Sequence, residues 1–88
     1  MYYVYILQSS KSSILYYGYT TDLRRRFKEH NDGKSKFTKG HLPWKLVFYA
    51  AFEKEKTAKD FELYVKSGSG KAFTYKRLVS SFSEKRQG

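Results

Sequence analysis

Cysteine is absent from the 88 residues, and proline occurs once, as Pro43. Without thiols the chain can form neither disulfides nor thiolate metal sites, so an apolar core must hold the fold. Acidic residues are scarce: eight Asp and Glu face 18 Lys and Arg, a formal net charge of +10. That imbalance favours a polyanionic partner, nucleic acid first, over a merely soluble basic surface. No run of about 18 apolar residues is available to span a bilayer. No segment joins a basic face to a wide apolar one, so a membrane surface is not the expected partner. The start, Met1-Tyr2-Tyr3-Val4-Tyr5-Ile6-Leu7, lacks the basic opening and small-residue cleavage site of a signal peptide, and a cytoplasmic protein is expected. A chain of this length makes one domain, expected over 1–80, with 81–88 a polar tail that frays.

What the sequence has in abundance is aromatic residues, nine Tyr and seven Phe among them. Residues 2–7 are aromatic and β-branched and predict a first strand, with Tyr3, Tyr5 and Leu7 on one face and Tyr2, Val4 and Ile6 on the other. The serine-rich stretch 8–13 is short enough to join it as a hairpin to a second strand over about 14–19. Gly18 in that strand marks a close approach by a ligand or by the following helix. Thr20 or Thr21 then caps a helix with Asp22 in its first turn, which stops at Asn31-Asp32-Gly33. The segment 34–43 is a basic loop with one aromatic, suited to phosphate contact or to plain connection. Trp44 to Phe52 is almost wholly apolar and is expected to be a central, covered strand. A second helix runs over about 56–66, opened by Thr57 and Asp60 at capping-box spacing, and a short third helix is expected over 71–79. The run Ser67-Gly68-Ser69-Gly70-Lys71-Ala72 is not a P-loop, because Val65 and Ala72 occupy positions that need glycine and a hydroxyl.

Helical geometry picks out the chemistry. With Leu23 at zero and about 100° per residue, Phe27, His30 and Arg26 fall at about 40°, about 340° and about 300°, whereas Arg24, Arg25, Lys28 and Glu29 turn outward. One arginine and one histidine therefore look toward the sheet. On the second helix Glu62 flanks the apolar stripe of Ala58, Phe61 and Val65, and a carboxylate there needs a cation, whether Arg, Lys or a metal ion. Tyr3, Tyr5, Tyr16, Arg26, His30 and Glu62 are the polar groups available to one surface. A single carboxylate with an arginine, a histidine and tyrosines suits phosphodiester hydrolysis better than acyl or hydride chemistry. Mg²⁺ requires only one or two protein carboxylates, which Glu62 can supply, and Arg26 can stabilise charge on the phosphate. The plainer alternatives are an Arg26–Glu62 ion pair and a histidine satisfied at a helix end.

In these motifs the chain resembles the GIY-YIG nucleases, specifically the small stand-alone bacterial proteins of that superfamily. Tyr3-Val4-Tyr5 matches the first name-giving tripeptide and Tyr16-Tyr17-Gly18 the second, with ten residues between Tyr5 and Tyr16. Arg26 follows Gly18 by eight positions, His30 comes four later, and Glu62 matches the glutamate of the second helix. The resemblance implies an α+β fold, a three-stranded antiparallel sheet flanked by three helices in ββαβαα order, and metal-dependent cleavage of DNA. By the same match, Tyr5 or Tyr16 serves as general base or positions the water, Arg26 stabilises the transition state, and His30 assists proton transfer or orients a tyrosine. Glu62 holds Mg²⁺ or Mn²⁺, and these groups are expected to converge in one solvent-reachable cleft. Gly18, Lys34, Lys36, Lys39, Lys71 and Lys76 are the expected nucleic-acid contacts. The chain departs from the family in lacking its late asparagine, since 73–77 contains none. The usual recognition domain is not among these residues either, so specificity for branched, damaged or single-stranded DNA would come from a protein partner or from DNA shape. The alternative function is a non-catalytic nucleic-acid-binding module on the same fold. An RRM is excluded, because no strand carries its signature.

Overall fold

The computed structural model describes residues 1–68 and 70. Three strands, β1 (Tyr2–Ser9), β2 (Leu15–Thr20) and β3 (Trp44–Phe52), and two helices, α1 (Leu23–Asn31) and α2 (Glu55–Lys66), follow one another in the order ββαβα, and a 3₁₀ turn at Thr38–His41 precedes β3. The strands form one antiparallel sheet in the order β2-β1-β3, and the architecture is α+β. The third helix expected over 71–79, the tail, and Lys71 and Lys76 lie outside the described residues. Among the described residues no helix is long and apolar enough to cross a membrane.

The central strand is β1, not β3. Its residues Val4 to Ser9 are all buried, while β3 forms an edge and leaves Tyr49 and Ala51 exposed. The near-continuous apolar run in β3 has another cause. Ile6 pairs with Phe48 but Leu7 pairs with Leu46, so Val47 is an extra residue that bulges and reverses the alternation of side chains. Leu46 before the bulge and Tyr49 after it therefore face the same side, and Phe48 and Phe52 face the other. A strand with this reversal needs apolar residues at both parities.

The helices divide the two faces of the sheet. On one, α2 lays Ala58 and Val65 onto Val4, and Phe61 packs on Phe48 and Phe52 with ring centroids 6.3 and 5.5 Å away. On the other, Leu23 and Phe27 of α1 pack against Tyr5, Leu7 and Trp44. Complete burial of a side chain such as Val65 contributes about 1.5–3 kcal/mol.

Two capping expectations are corrected. The N-cap of α1 is Asp22, whose carboxylate accepts from the Arg25 N–H at 3.1 Å. Thr20 is occupied one step earlier, its Oγ1 accepting from the Asp22 N–H at 3.0 Å, which turns the chain and leaves Asp22 at the non-helical position. Helix α2 starts at Glu55 behind Lys54 without a side-chain cap, because only two residues separate it from β3. Thr57 is thus already inside the helix, and Asp60 pairs with Lys56 at 3.0 Å instead of completing a capping box. The stop after Asn31 forms as expected: Gly33 adopts φ 76° and its N–H donates to the His30 carbonyl at 3.2 Å.

Candidate active site

His30 follows Phe27 by one turn of α1, so the stripe that fixes the helix also drives the imidazole inward, and it is fully buried. Both ring nitrogens are engaged. Nε2 lies 2.9 Å from the Tyr5 hydroxyl and Nδ1 2.9 Å from Thr38 Oγ1. Burial, reinforced by the charge of Arg26, lowers the His30 pKa to about 4, so the ring is neutral at physiological pH. The Thr38 hydroxyl points back to the Ser35 carbonyl at 3.5 Å, which leaves its oxygen to accept from Nδ1–H and Nε2 to accept from Tyr5.

Tyr5 is nearly closed off from solvent, and burial pushes its phenol up to about 12. The nearby Tyr16 adds to the rise, Arg26 opposes it through hydrogen bonding and charge, and Glu62 adds a weaker upward push. The phenol therefore keeps its proton and donates it. Tyr16, by contrast, is half-buried and accessible, its ring edge-on to His30 at 4.9 Å and 6.4 Å from the Tyr5 ring. Arg26 interacts with both phenols, and its guanidinium pairs with Glu29 at 3.0 Å, which raises its pKa further. It does not pair with Glu62.

Gly18 lies opposite Tyr5 in the β1–β2 register, and what approaches it closely is the Tyr5 ring, not the helix. A Cβ on Gly18 would sit 2.3 Å from both Cζ and Oη of Tyr5. Glycine is the only residue that leaves the phenol this place under β2.

The structure thus brings Tyr5, Tyr16, Arg26 and His30 together on the α1 face. Glu62 is the departure from the expected single cleft. It projects from α2, which covers the opposite face, on the flank away from Phe61 and therefore toward β2. Its partner is Lys66 at 2.9 Å, the cation that its place beside the apolar stripe required. The wheel located Glu62 on its own helix but carries no information about which sheet face the helix covers. Its charge still reaches Tyr5, and β2 is an edge strand with no further strand beyond it among the described residues.

Lys34, Lys36 and Lys39 are exposed on the segment after α1, and none forms a salt bridge with a described residue. That segment is not a free connector. Thr38 is fully buried, its carbonyl accepting from Trp44 Nε1 at 2.8 Å, and Asn31 clasps the Trp44 backbone with its side-chain amide at 2.7 and 3.0 Å. Sequence reasoning passed over Thr38 and Asn31, a threonine among lysines and an asparagine in a helix stop. The signal was the buried His30, eight residues before Thr38, which needed a partner for its second nitrogen. On the far flank of α1 a groove of about 470 Å³ is lined by Tyr3, Asp22, Arg24 and Tyr49 among others. It contains none of the four clustered residues.

The family model described as the GIY-YIG catalytic domain matches residues 1–76, and the chain belongs to the GIY-YIG family. Its relatives within that family are UPF0213 proteins. The one from Clostridium perfringens is 45% identical over 67 residues, covering 75% of this chain and 71% of that protein. The one from Haloquadratum walsbyi is 46% identical over 66 residues, covering 74% and 73%. The solution NMR structure of a UPF0213 protein from Bacillus halodurans is similar with a TM-score of 0.57 and 36% identity, over 99% of this chain and 96% of that one. A GIY-YIG domain implies nuclease-type function with DNA as the substrate class, and nucleases of this kind generally depend on a divalent metal.

Proposed function

We propose that the chain is a divalent-metal-dependent endonuclease that hydrolyses DNA phosphodiester bonds, with Tyr16 as the reacting phenol and Tyr5 as its support. The observation that carries this reading is the difference between the two tyrosines. Tyr5 is buried, hydrogen-bonded to a neutral His30 and held protonated, whereas Tyr16 is accessible beside it and beside Arg26. Tyr16 accepts a proton from the attacking water as the water oxygen bonds to phosphorus, the bond to the leaving nucleotide oxygen breaks, and that oxygen takes up a proton from solvent. Arg26 is the cation that stands beside Tyr16. Arg26 also stabilises the charge that develops on the phosphate oxygens, a contribution typically worth a factor of about 10²–10³ in rate. His30 and Thr38 fix the Tyr5 hydroxyl and, through it, the neighbouring ring.

The donors present fit a cation that keeps most of its water. Among the described residues no three His, Cys, Asp or Glu side chains gather into a cage, while Glu62 offers one partly exposed carboxylate held only by a lysine on its own helix. Mg²⁺ or Mn²⁺ accepts such a site, and when bound it would polarise the phosphate. Glu62 is the residue that would hold it, at the open edge of β2.

The alternative, a non-catalytic nucleic-acid-binding module, is favoured by one observation, the origin of Glu62 on the opposite face of the sheet. Single-turnover cleavage of a labelled oligonucleotide by Tyr16→Phe, Tyr5→Phe and Glu62→Gln separates the readings. The nuclease reading expects Tyr16→Phe and Glu62→Gln to lose at least about 100-fold in rate, and Tyr5→Phe to lose far less. Metal-dependent cleavage that Tyr16→Phe leaves intact would remove Tyr16 from its assigned role.

A further inference from the structure

Phe37 is 58% exposed, an unfavourable place for a phenylalanine in a small protein that needs every apolar residue for its core. It is nonetheless held in a fixed position. The next residue, Thr38, is buried and anchored twice, its hydroxyl to His30 and its carbonyl to Trp44. The Phe37 ring lies 5.8 Å from that of Tyr16, inclined by 30°, and 5.9 Å from that of His41. The group that orients the phenols therefore also sets where Phe37 stands relative to them. Around it in sequence are Lys34, Lys36 and Lys39, all exposed and without salt bridges to described residues. An exposed aromatic face among exposed cations is the combination that binds single-stranded nucleic acid, with bases stacking on the ring and phosphates meeting the lysines. In a duplex the bases are already stacked on one another and offer the ring no face.

We infer that Phe37 is a stacking platform for an unpaired base beside the phosphate at Tyr16, so that the protein selects single-stranded segments of DNA over duplex. This substrate class rests on the nuclease reading, but the platform itself is tested without cleavage. Three fluorescein-labelled ligands of equal length are titrated in EDTA and followed by anisotropy: a thymidine strand, the same backbone with abasic residues, and a blunt duplex. The expected result is that the thymidine strand binds roughly five- to 100-fold more tightly than the abasic one, the range for one stacked base. Phe37→Ala removes that difference, Phe37→Trp restores it, and duplex binding changes by less than about twofold in both. The inference is overturned if wild type binds thymidine and abasic strands alike, or if Phe37→Ala weakens duplex and single strand equally. It is also overturned if Phe37→Ala instead converts a dimer to a monomer in sedimentation, which would make the ring a contact between copies. Selective single-strand binding without cleavage in Mg²⁺ would sink the nuclease reading and leave the platform standing, whereas cleavage indifferent to Phe37 would do the reverse.

Discussion

Replacing Gly18 by alanine tests the central packing relation of the site. The added Cβ would fall 2.3 Å from Cζ and Oη of Tyr5 and 2.7 Å from Cε1, well inside any contact distance. The ring cannot swing away, because it is packed with Leu7 and Trp44 and its hydroxyl is bound to His30 at 2.9 Å. The strain must enter the backbone of β1 or β2, which overpacking data put at about 1–3 kcal/mol. For a domain of this size each kcal/mol lowers Tm by about 4–8 °C, so calorimetry should show a fall of roughly 5–20 °C. A double-mutant cycle isolates the cause: Gly18→Ala in a Tyr5→Ala background should cost far less, with a coupling energy of about 1–3 kcal/mol. Gly18→Ala with unchanged Tm, or with the same cost whether or not Tyr5 is present, would refute the reasoning.

Further outcomes follow from the charges and hydrogen bonds. His30 has its pKa lowered to about 4 from an unfolded value near 6.5, so its contribution is complete above pH 6.5 and is lost as pH falls toward 4. Urea melts should show a loss of about 3 kcal/mol across that window, and the slope should flatten in His30→Gln. Tyr5 is raised to about 12, so its contribution is present below pH 10 and lost between pH 10 and 12, a loss that Tyr5→Phe removes. Glu62→Gln breaks only the pair with Lys66 on the same helix and should cost less than about 1 kcal/mol in the same melts, which separates a metal role from a structural one. Replacing Lys36 and Lys39 together by alanine should reduce the slope of log K against log salt by about 1.4 on single-stranded DNA.

The parts of the fold set by local pattern were legible in the sequence. Strand β1, the α1 stripe with its inward Arg26 and His30, the glycine stop and the Ala58–Phe61–Val65 face all follow from side-chain periodicity within a single element. What periodicity could not supply was how elements are placed on one another. The apolar run of β3 reads as a covered central strand until the bulge at Val47 is known, and a bulge is a property of the paired strand. Glu62 was correctly placed beside its helix's apolar stripe, yet the face of the sheet that α2 covers depends on the connection from β3. The buried partner of His30 lay in a lysine-rich stretch whose composition suggests solvent, since one threonine among so many charges leaves no periodic trace. Gly18 was recognised as a point of close approach, but its visitor is a ring from the neighbouring strand, which only the register identifies.

The most direct test is cleavage of a single-stranded oligonucleotide by the purified protein under single turnover, in Mg²⁺ or Mn²⁺ and in EDTA, beside Arg26→Ala. The account predicts hydrolysis that requires the metal and falls at least about 100-fold in Arg26→Ala, with that variant's melting curve close to wild type. A folded wild-type protein that leaves single-stranded, branched and duplex DNA intact in both metals would contradict it.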